Sequence, residues 1–334
     1  MIKKCSQKIY KSYRFSIAPM MDYTDTHYRV MMRQITKYAL LYTEMIVAQA
    51  LHHTKKINSL LSFNEIEHPI ALQIGGDDPN LLAKATQIAQ DWGYDEINLN
   101  VGCPSPRVKS GNFGACMMAD PELVAKCIQR MKEVSDIPIT IKHRIGIDHL
   151  DSQQLLLEFI DKIADAGANR FAIHARKAWL NGLSPKENRT VPPLEYYRVE
   201  EIKKKRPNLK IEINGGINTI EDCTLALEKF DGVMVGRAAY EHPLRWKNID
   251  EIIYRSEPKE IKASEIIFNM IPYAEKHLEE EGRLWNISRH LVQIVENVPG
   301  ARGWRREFTE KSQQKGATAK VLEKSARQLE DAGL

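Results

Sequence analysis

The chain has 334 residues, 43% hydrophobic and 28% charged, with a formal net charge of +4: enough for a large core and an appendage, and a mild basic excess that admits nucleic acid without demanding it. Five cysteines (Cys5, Cys103, Cys116, Cys127, Cys223) are odd in number and include no CxxC pair, which excludes a disulfide framework or zinc site and points to a reducing compartment. The N-terminal MIKKCSQKIYKSYRF lacks an apolar core and no apolar run approaches the roughly 18 residues of a membrane span, so a cytoplasmic protein without membrane or metal is expected.

Eight short apolar runs follow in chain order: Phe15–Met20, Leu40–Met45, Pro69–Gly75, Glu96–Gly102, Ile137–Arg144, Arg170–Arg176, Lys210–Gly216 and Asp231–Arg237. Helical patterns separate them. DPNLLAKATQIAQDWG and DPELVAKCIQRMKEV both open on Asp-Pro, an N-cap followed by a proline tolerated in the first turn. DSQQLLLEFIDKIADAG has the 3.6 apolar period and stops at Gly167. Strand–helix alternation means parallel strands with crossover helices, and eight units in about 250 residues predict an α/β fold, a (β/α)8 TIM barrel. The alternative is a doubly wound open sheet, but no early strand–GxGxxG–helix unit is present. Near Glu257-Pro258 the strand-like runs stop. Residues 262–282, 287–298 and 318–333 read as amphipathic helices. The expected domains are therefore a catalytic barrel over 1–256 and a small helical domain over 257–334.

Such barrels carry their sites at the C-terminal ends of the strands. Those ends hold Met20-Met21, Glu44, Gln73, Asn98 and Asn100 with Cys103, Lys142 with Arg144, His174 with Arg176, Asn214, and Gly236-Arg237. Any one of these suits a solvated loop; the set together points to a site. Asn214-Gly215-Gly216 after strand seven and Gly236-Arg237 after strand eight fit a phosphate cradle, where glycines admit backbone N–H groups to an anion and Arg237 adds charge. Two ordinary glycine turns are the plain alternative. The rest of the rim suits an isoalloxazine ring. Gln73 meets its pyrimidine edge, Lys142 places positive charge near N1, the Ala18–Met21 backbone packs on a face, and His174 reaches ring or phosphate. Cys103, held between Gly102 and Pro104, is a positioned thiol able to transfer a proton. Cys116, Cys127 and Cys223 read as small hydrophobes. Lys142, Arg144, His174 and Arg176 are candidates to stabilise charge on substrate oxygens.

The stretches APMMDYTD, ALQIGG, EINLNVGCPSPRV, IKHRIG, FAIHAR, INGGI and VMVGRAA resemble tRNA-dihydrouridine synthases. KAWLNGLSPKENRTVPPLEYYRV (177–199) and VPGARGWRR resemble the A-type bacterial branch. The resemblance covers about residues 14–310. It implies a flavoprotein oxidoreductase that reduces uridine to 5,6-dihydrouridine in the tRNA D-loop, at uridines 20 and 20a. Hydride passes from FMN N5 to uracil C6, and Cys103 gives a proton to C5. The implied cofactor contacts are Pro19, Met20, Met21, Asp22, Gln73, Lys142, His174, Asn214, Gly215, Gly216, Gly236 and Arg237. The implied reductant is NADPH, with NADH as the alternative. The implied tRNA contacts are Asn100, Lys186, Arg189, Arg302 and Arg305; Arg144 and Arg176 join them as substrate-facing groups. No obligate protein partner is expected. Trp304 either stacks on a base or packs the helical domain. From residue chemistry alone, a flavin barrel acting on a free pyrimidine or enone, as in dihydroorotate dehydrogenases, and a non-catalytic tRNA-binding protein stay open.

Overall fold

The structure is a computed structural model in which residues 12–334 are described; Cys5 lies outside them. Eight parallel strands close into a barrel in sequence order: β1 (Phe15–Ile17), β2 (Leu40–Val47), β3 (Ile70–Gly75), β4 (Glu96–Val101), β5 (Ile139–Arg144), β6 (Phe171–His174), β7 (Ile211–Asn214) and β8 (Gly232–Val235). β1 pairs with both β2 and β8, so no edge is left. The predicted (β/α)8 barrel is therefore the fold, and the open sheet is excluded.

Period-two alternation explains how each strand serves two environments. In β4, Ile97, Leu99 and Val101 are buried apolar residues, and Glu96, Asn98 and Asn100 alternate with them. Thr140, Lys142 and Arg144 alternate in β5 with Ile139, Ile141 and His143. Pairing aligns Gln73 with Asn98, Asn98 with Thr140, Asn100 with Lys142, and Arg144 with His174, so the polar members fall into levels inside the barrel. An apolar layer of Ala18, Leu40, Tyr42, Ala71, Ala172 and Met234, with Tyr13, forms part of the same filling.

Below that mouth lies an ionic floor. Arg170 bonds Glu96 at 2.7 Å and Glu212 at 3.1 Å, and it reaches the Tyr42 hydroxyl at 2.9 Å. Thr140 donates to Glu96 at 2.6 Å, and Ser16 donates to Glu212. The Arg170 guanidinium also covers the Tyr13 ring at 4.6 Å. Burial, partly offset by Arg170, pushes the Glu212 carboxyl up.

The outer helices start where the sequence places caps. Asp78 accepts from Asn80 and Leu81 ahead of Pro79–Asp91, and Asp120 accepts from Leu123 ahead of Pro121–Glu133. Ser152 caps Gln153–Asp165, and Thr219 with Asp222 forms a capping box on Ile220–Leu227.

The chain divides into two compact units. One holds the strands and comprises described residues up to 21, with 39–63 and 68–236. The other comprises 22–38, 64–67 and 237–334. Within it, Asp25 caps the helix Thr26–Ile35 and bonds Arg289 at 2.6 Å and His290 at 3.0 Å. Arg29 pairs with the buried Glu67 at 2.6 Å, and Asp250 takes the Thr36 hydroxyl at 2.5 Å. Ala263–Glu279 and Lys320–Asp331 match two expected helices. The third, 287–298, differs: an α-helix runs Leu284–Leu291, a 3-10 turn follows at Val292–Ile294, and Asn297 sits at φ 58°. Pro299 bars helix in the residue before it, so the apolar period there cannot be completed. A further helix, Ala301–Gln313, then begins behind Gly300. Among the described residues, no helix is long and apolar enough to cross a membrane.

Candidate active site at the barrel mouth

Cys103 follows β4 directly, and its loop is tightly seated. The Asn100 Oδ1 accepts from the backbone N–H groups of Gly102 (3.1 Å) and Cys103 (3.0 Å). The Cys103 carbonyl accepts from Ala115 at 2.9 Å. Gly102 is needed for close approach, since a Cβ there would sit 3.3 Å from the His143 Cα and the Lys142 carbonyl. Arg144 donates to the Gly102 carbonyl at 3.0 Å, the Lys177 carbonyl at 3.0 Å and the Asn188 carbonyl at 2.9 Å. It thereby ties the cysteine loop to the 177–192 loop. The free thiol of Cys103 is partly exposed. Cys127 and Cys223 are buried, and burial raises their pKa to about 12 in Cys127 and higher still in Cys223. Cys116 is half-buried, its thiol directed at the Phe113 carbonyl.

Around Cys103 the charge is positive. Burial and the neighbouring Arg144 charge lower the Lys142 pKa to about 8, while Cys103 acts in the opposite sense. Lys142 has no hydrogen bond or ion pair to any described residue. Arg144 is lowered to about 10 by burial and by Arg189 and Arg176. His174 is held far below its ordinary value by burial and by Arg144, Lys142, Arg176 and Arg189. It is a neutral imidazole whose buried Nδ1 has no partner. Arg176 bonds the Pro192 carbonyl. The structure thus gathers Cys103, Lys142, Arg144, His174, Arg176 and Arg189 at one mouth.

Asn214 is anchored by its amide to the Met234 carbonyl at 2.8 Å. Gly215 and Gly216 follow at φ 105° and 73°, conformations that side chains resist. A Cβ on Gly215 would lie 3.2 Å from His174 Nε2, and one on Gly216 would lie 2.9 Å from the Tyr196 hydroxyl and overlap Leu194. A Cβ on Gly236 would meet only the Met20 Sδ, at 4.0 Å. Arg237 opens the short helix Arg237–Glu241 directly after it. Pro19 and Met20 are partly exposed and Met21 is 56% exposed, so this stretch offers an uncovered apolar surface. Asp22 stands at φ 67° with its carbonyl bonded to Arg289 at 2.9 Å, both in the second unit. An orphaned buried nitrogen, an unpaired lysine and two glycines fit an anionic, flat cofactor such as FMN.

Gln73 is not at the surface. Its amide donates to Asn98 and accepts from Asn100, each at 2.9 Å, and it is 1% exposed. Asn100 is similarly committed, leaving one amide hydrogen for a ligand. Lys186 and Arg189 lie exposed on the short 3-10 turn around Glu187–Arg189. Arg302 is exposed and Arg305 donates to the Val295 carbonyl at 3.3 Å, both on Ala301–Gln313. Trp304 stacks on Phe308 with centroids 4.8 Å apart and donates to the Ser325 carbonyl at 3.4 Å, so it packs the helices. The residues that sequence reasoning passed over are Glu96, Thr140, Glu212, Arg170 and Asn188. The first three announce themselves by the polar period two within apolar strands, and Arg170 stands just ahead of one. Asn188, buried and bonded to Trp179, Leu183 and Ser184, carries no such signal.

The family model for dihydrouridine synthase matches residues 16–330. A Synechocystis sp. protein named tRNA-dihydrouridine(20/20a) synthase is 53% identical over 92% of both chains. Proteins of the same name from Shewanella oneidensis (50%, over 92% of this chain and 91% of that one) and Escherichia coli (46%, over 98% of both) are also similar. A solved complex of 2-naphthoyl-CoA reductase shares the fold, with a TM-score of 0.55 and 12% identity over 71% of this chain and 50% of that one. With the barrel, the seated cysteine and a match over nearly its whole length, the chain belongs to the dihydrouridine synthase family.

Proposed function

We propose that this protein reduces uridines 20 and 20a of tRNA to 5,6-dihydrouridine, with FMN as cofactor and NADPH as reductant. The carrying observation is the Cys103 thiol, seated by Asn100 and Arg144 among cations at the mouth of a family barrel. FMN would be held by Pro19, Met20, Met21 and Asp22, by Gln73, Lys142 and His174, and by Asn214, Gly215, Gly216, Gly236 and Arg237. When bound, it supplies a hydride, drawn from NADPH, to C6 of the uracil.

The chain's own residues do the rest. The Cys103 thiol gives its proton to C5 as general acid. Lys142, Arg144 and Arg176 stabilise negative charge developing on the uracil carbonyl oxygens. The neutral His174, with Nδ1 unbonded, offers a hydrogen-bonding group that adds no further charge. Asn100 turns its remaining amide hydrogen toward the substrate. A uracil folded into tRNA must be extruded to reach this mouth, at a cost of a few kcal/mol. Lys186 and Arg189 from the 177–192 loop, with Arg302 and Arg305 from the helical part over 257–334, bind phosphates and offset that cost.

Mapping dihydrouridine in tRNA from cells with and without the gene tests the reading. Loss confined to positions 20 and 20a is expected. Unchanged tRNA, together with turnover of free uracil or orotate by the purified protein, would replace it with a small-molecule flavoenzyme.

A further inference from the structure

We propose that Glu96, on the barrel floor, sets the orientation of the Asn100 amide and hence the seating of Cys103, with Thr140, Asn98 and Gln73 as positioning residues between them. The inference rests on the reading of Cys103 as the acid.

The chain of bonds is continuous and has one sense. Glu96 is ion-paired to Arg170 at 2.7 Å, so its carboxylate only accepts. Thr140 has one hydroxyl proton. Glu96 Oε1 lies 2.6 Å away and the Ile97 carbonyl 3.5 Å, so the proton goes to Glu96. Thr140 Oγ1 can then only accept from Asn98, whose Nδ2 is 2.9 Å away. That places the Asn98 Oδ1 toward Gln73 Nε2, also at 2.9 Å. It turns the Gln73 Oε1 toward Asn100 Nδ2, again at 2.9 Å. Asn100 is left presenting Oδ1 to the Gly102 and Cys103 N–H groups at 3.1 and 3.0 Å.

An amide can be flipped by half a turn at nearly equal shape, and only its partners decide which way it lies. Glu96 fixes the chain from below and the Gly102 and Cys103 N–H groups hold its top link from above, so each amide between them admits one orientation. Asn98 is fully buried, Thr140 and Gln73 are each 1% exposed, and water does not compete for their bonds. Reversing Asn100 would set its NH2 against two N–H donors, unseating the loop. A carboxylate two strand levels below the mouth thus presents Asn100 with a Gln73 oxygen and not an NH2, which locks the face that meets the cysteine backbone and sets which hydrogen remains for substrate.

The test separates hydroxyl from volume at Thr140. Thr140→Val keeps the shape and removes the acceptor; Thr140→Ser keeps the acceptor and loses a methyl. Alkylation of Cys103 by iodoacetamide, read by peptide mass spectrometry on the full chain, reports loop seating without any turnover. Thr140→Val is expected to change that rate about threefold or more and to lower kcat for tRNA about tenfold, with KM for tRNA little altered. Thr140→Ser is expected to behave as wild type. A wild-type alkylation rate in Val, or equal damage in Val and Ser, overturns the proposal. Asn98→Leu breaks the chain one link higher and should shift the same rate; if it folds and does not, the proposal fails even where Thr140→Val does not fold. Cys103→Ala run in parallel judges the acid assignment separately: tRNA reduction surviving that change would sink the reading of Cys103, while the alkylation series would still decide the orientation chain.

Discussion

The floor and the mouth of the same barrel handle charge in opposite ways. At the floor, Arg170 is matched by Glu96 and Glu212 within 3.1 Å, by the Tyr42 hydroxyl and by the Tyr13 ring. At the mouth, Lys142, Arg144, Arg176 and Arg189 repel one another, and Lys142 has no counter-ion among the described residues. Charge satisfied inside the protein holds the fold. The Lys142 charge, which no described residue neutralises, is left for something from outside, in our proposal an anionic cofactor and an electron-rich transition state.

That contrast is sharpest at the floor. Arg170→Met leaves two buried carboxylates facing each other and is expected to cost about 3–5 kcal/mol of stability in urea unfolding. A loss under about 1 kcal/mol would mean the floor is wet. The opposite sign is expected at the mouth. Below about pH 8 Lys142 is charged in folded and unfolded chains alike, and its lowered pKa is a standing cost. Lys142→Met should therefore stabilise the flavin-free protein at pH 7, by about 1–3 kcal/mol. From about 8 toward 10.5 the folded lysine sheds its proton first, so the cost and the variant's advantage shrink as pH rises. A destabilised Lys142→Met at pH 7 would erase the contrast. Gly216→Ala, at φ 73° and against Leu194, should cost about 1–2 kcal/mol and weaken FMN binding. Smallest on stability is Arg302→Glu with Arg305→Glu, within about 0.5 kcal/mol. Its effect is on tRNA: weaker binding and a salt dependence shallower by roughly one log unit per lost phosphate contact, with flavin reduction by NADPH spared.

The barrel was legible because each strand's apolar face and each Asp-Pro cap is a local signal. The cysteine was legible because Gly102 and Pro104 bracket it after a strand. The floor was not, since Glu96, Thr140, Arg170 and Glu212 lie far apart in sequence and meet only once the sheet closes. Their polar positions are visible, but each falls inside or beside an otherwise apolar run. Gln73 and Asn100 stood out as polar residues, yet nothing local says that their amides are spent on one another. Trp304 had two readings that only packing against Phe308 could separate. The expected helix over 287–298 stops at Leu291 and gives way to a 3-10 turn at Val292–Ile294, a break that apolar periodicity does not mark.

The most direct measurement follows Cys103→Ala through the two half-reactions by anaerobic stopped flow at the flavin absorbance. NADPH should bleach the bound flavin at the wild-type rate, and tRNA should then restore its colour slower by about a hundredfold or more. Recovery of the colour by tRNA at the wild-type rate, with dihydrouridine formed, would contradict the assignment of this thiol as the proton source.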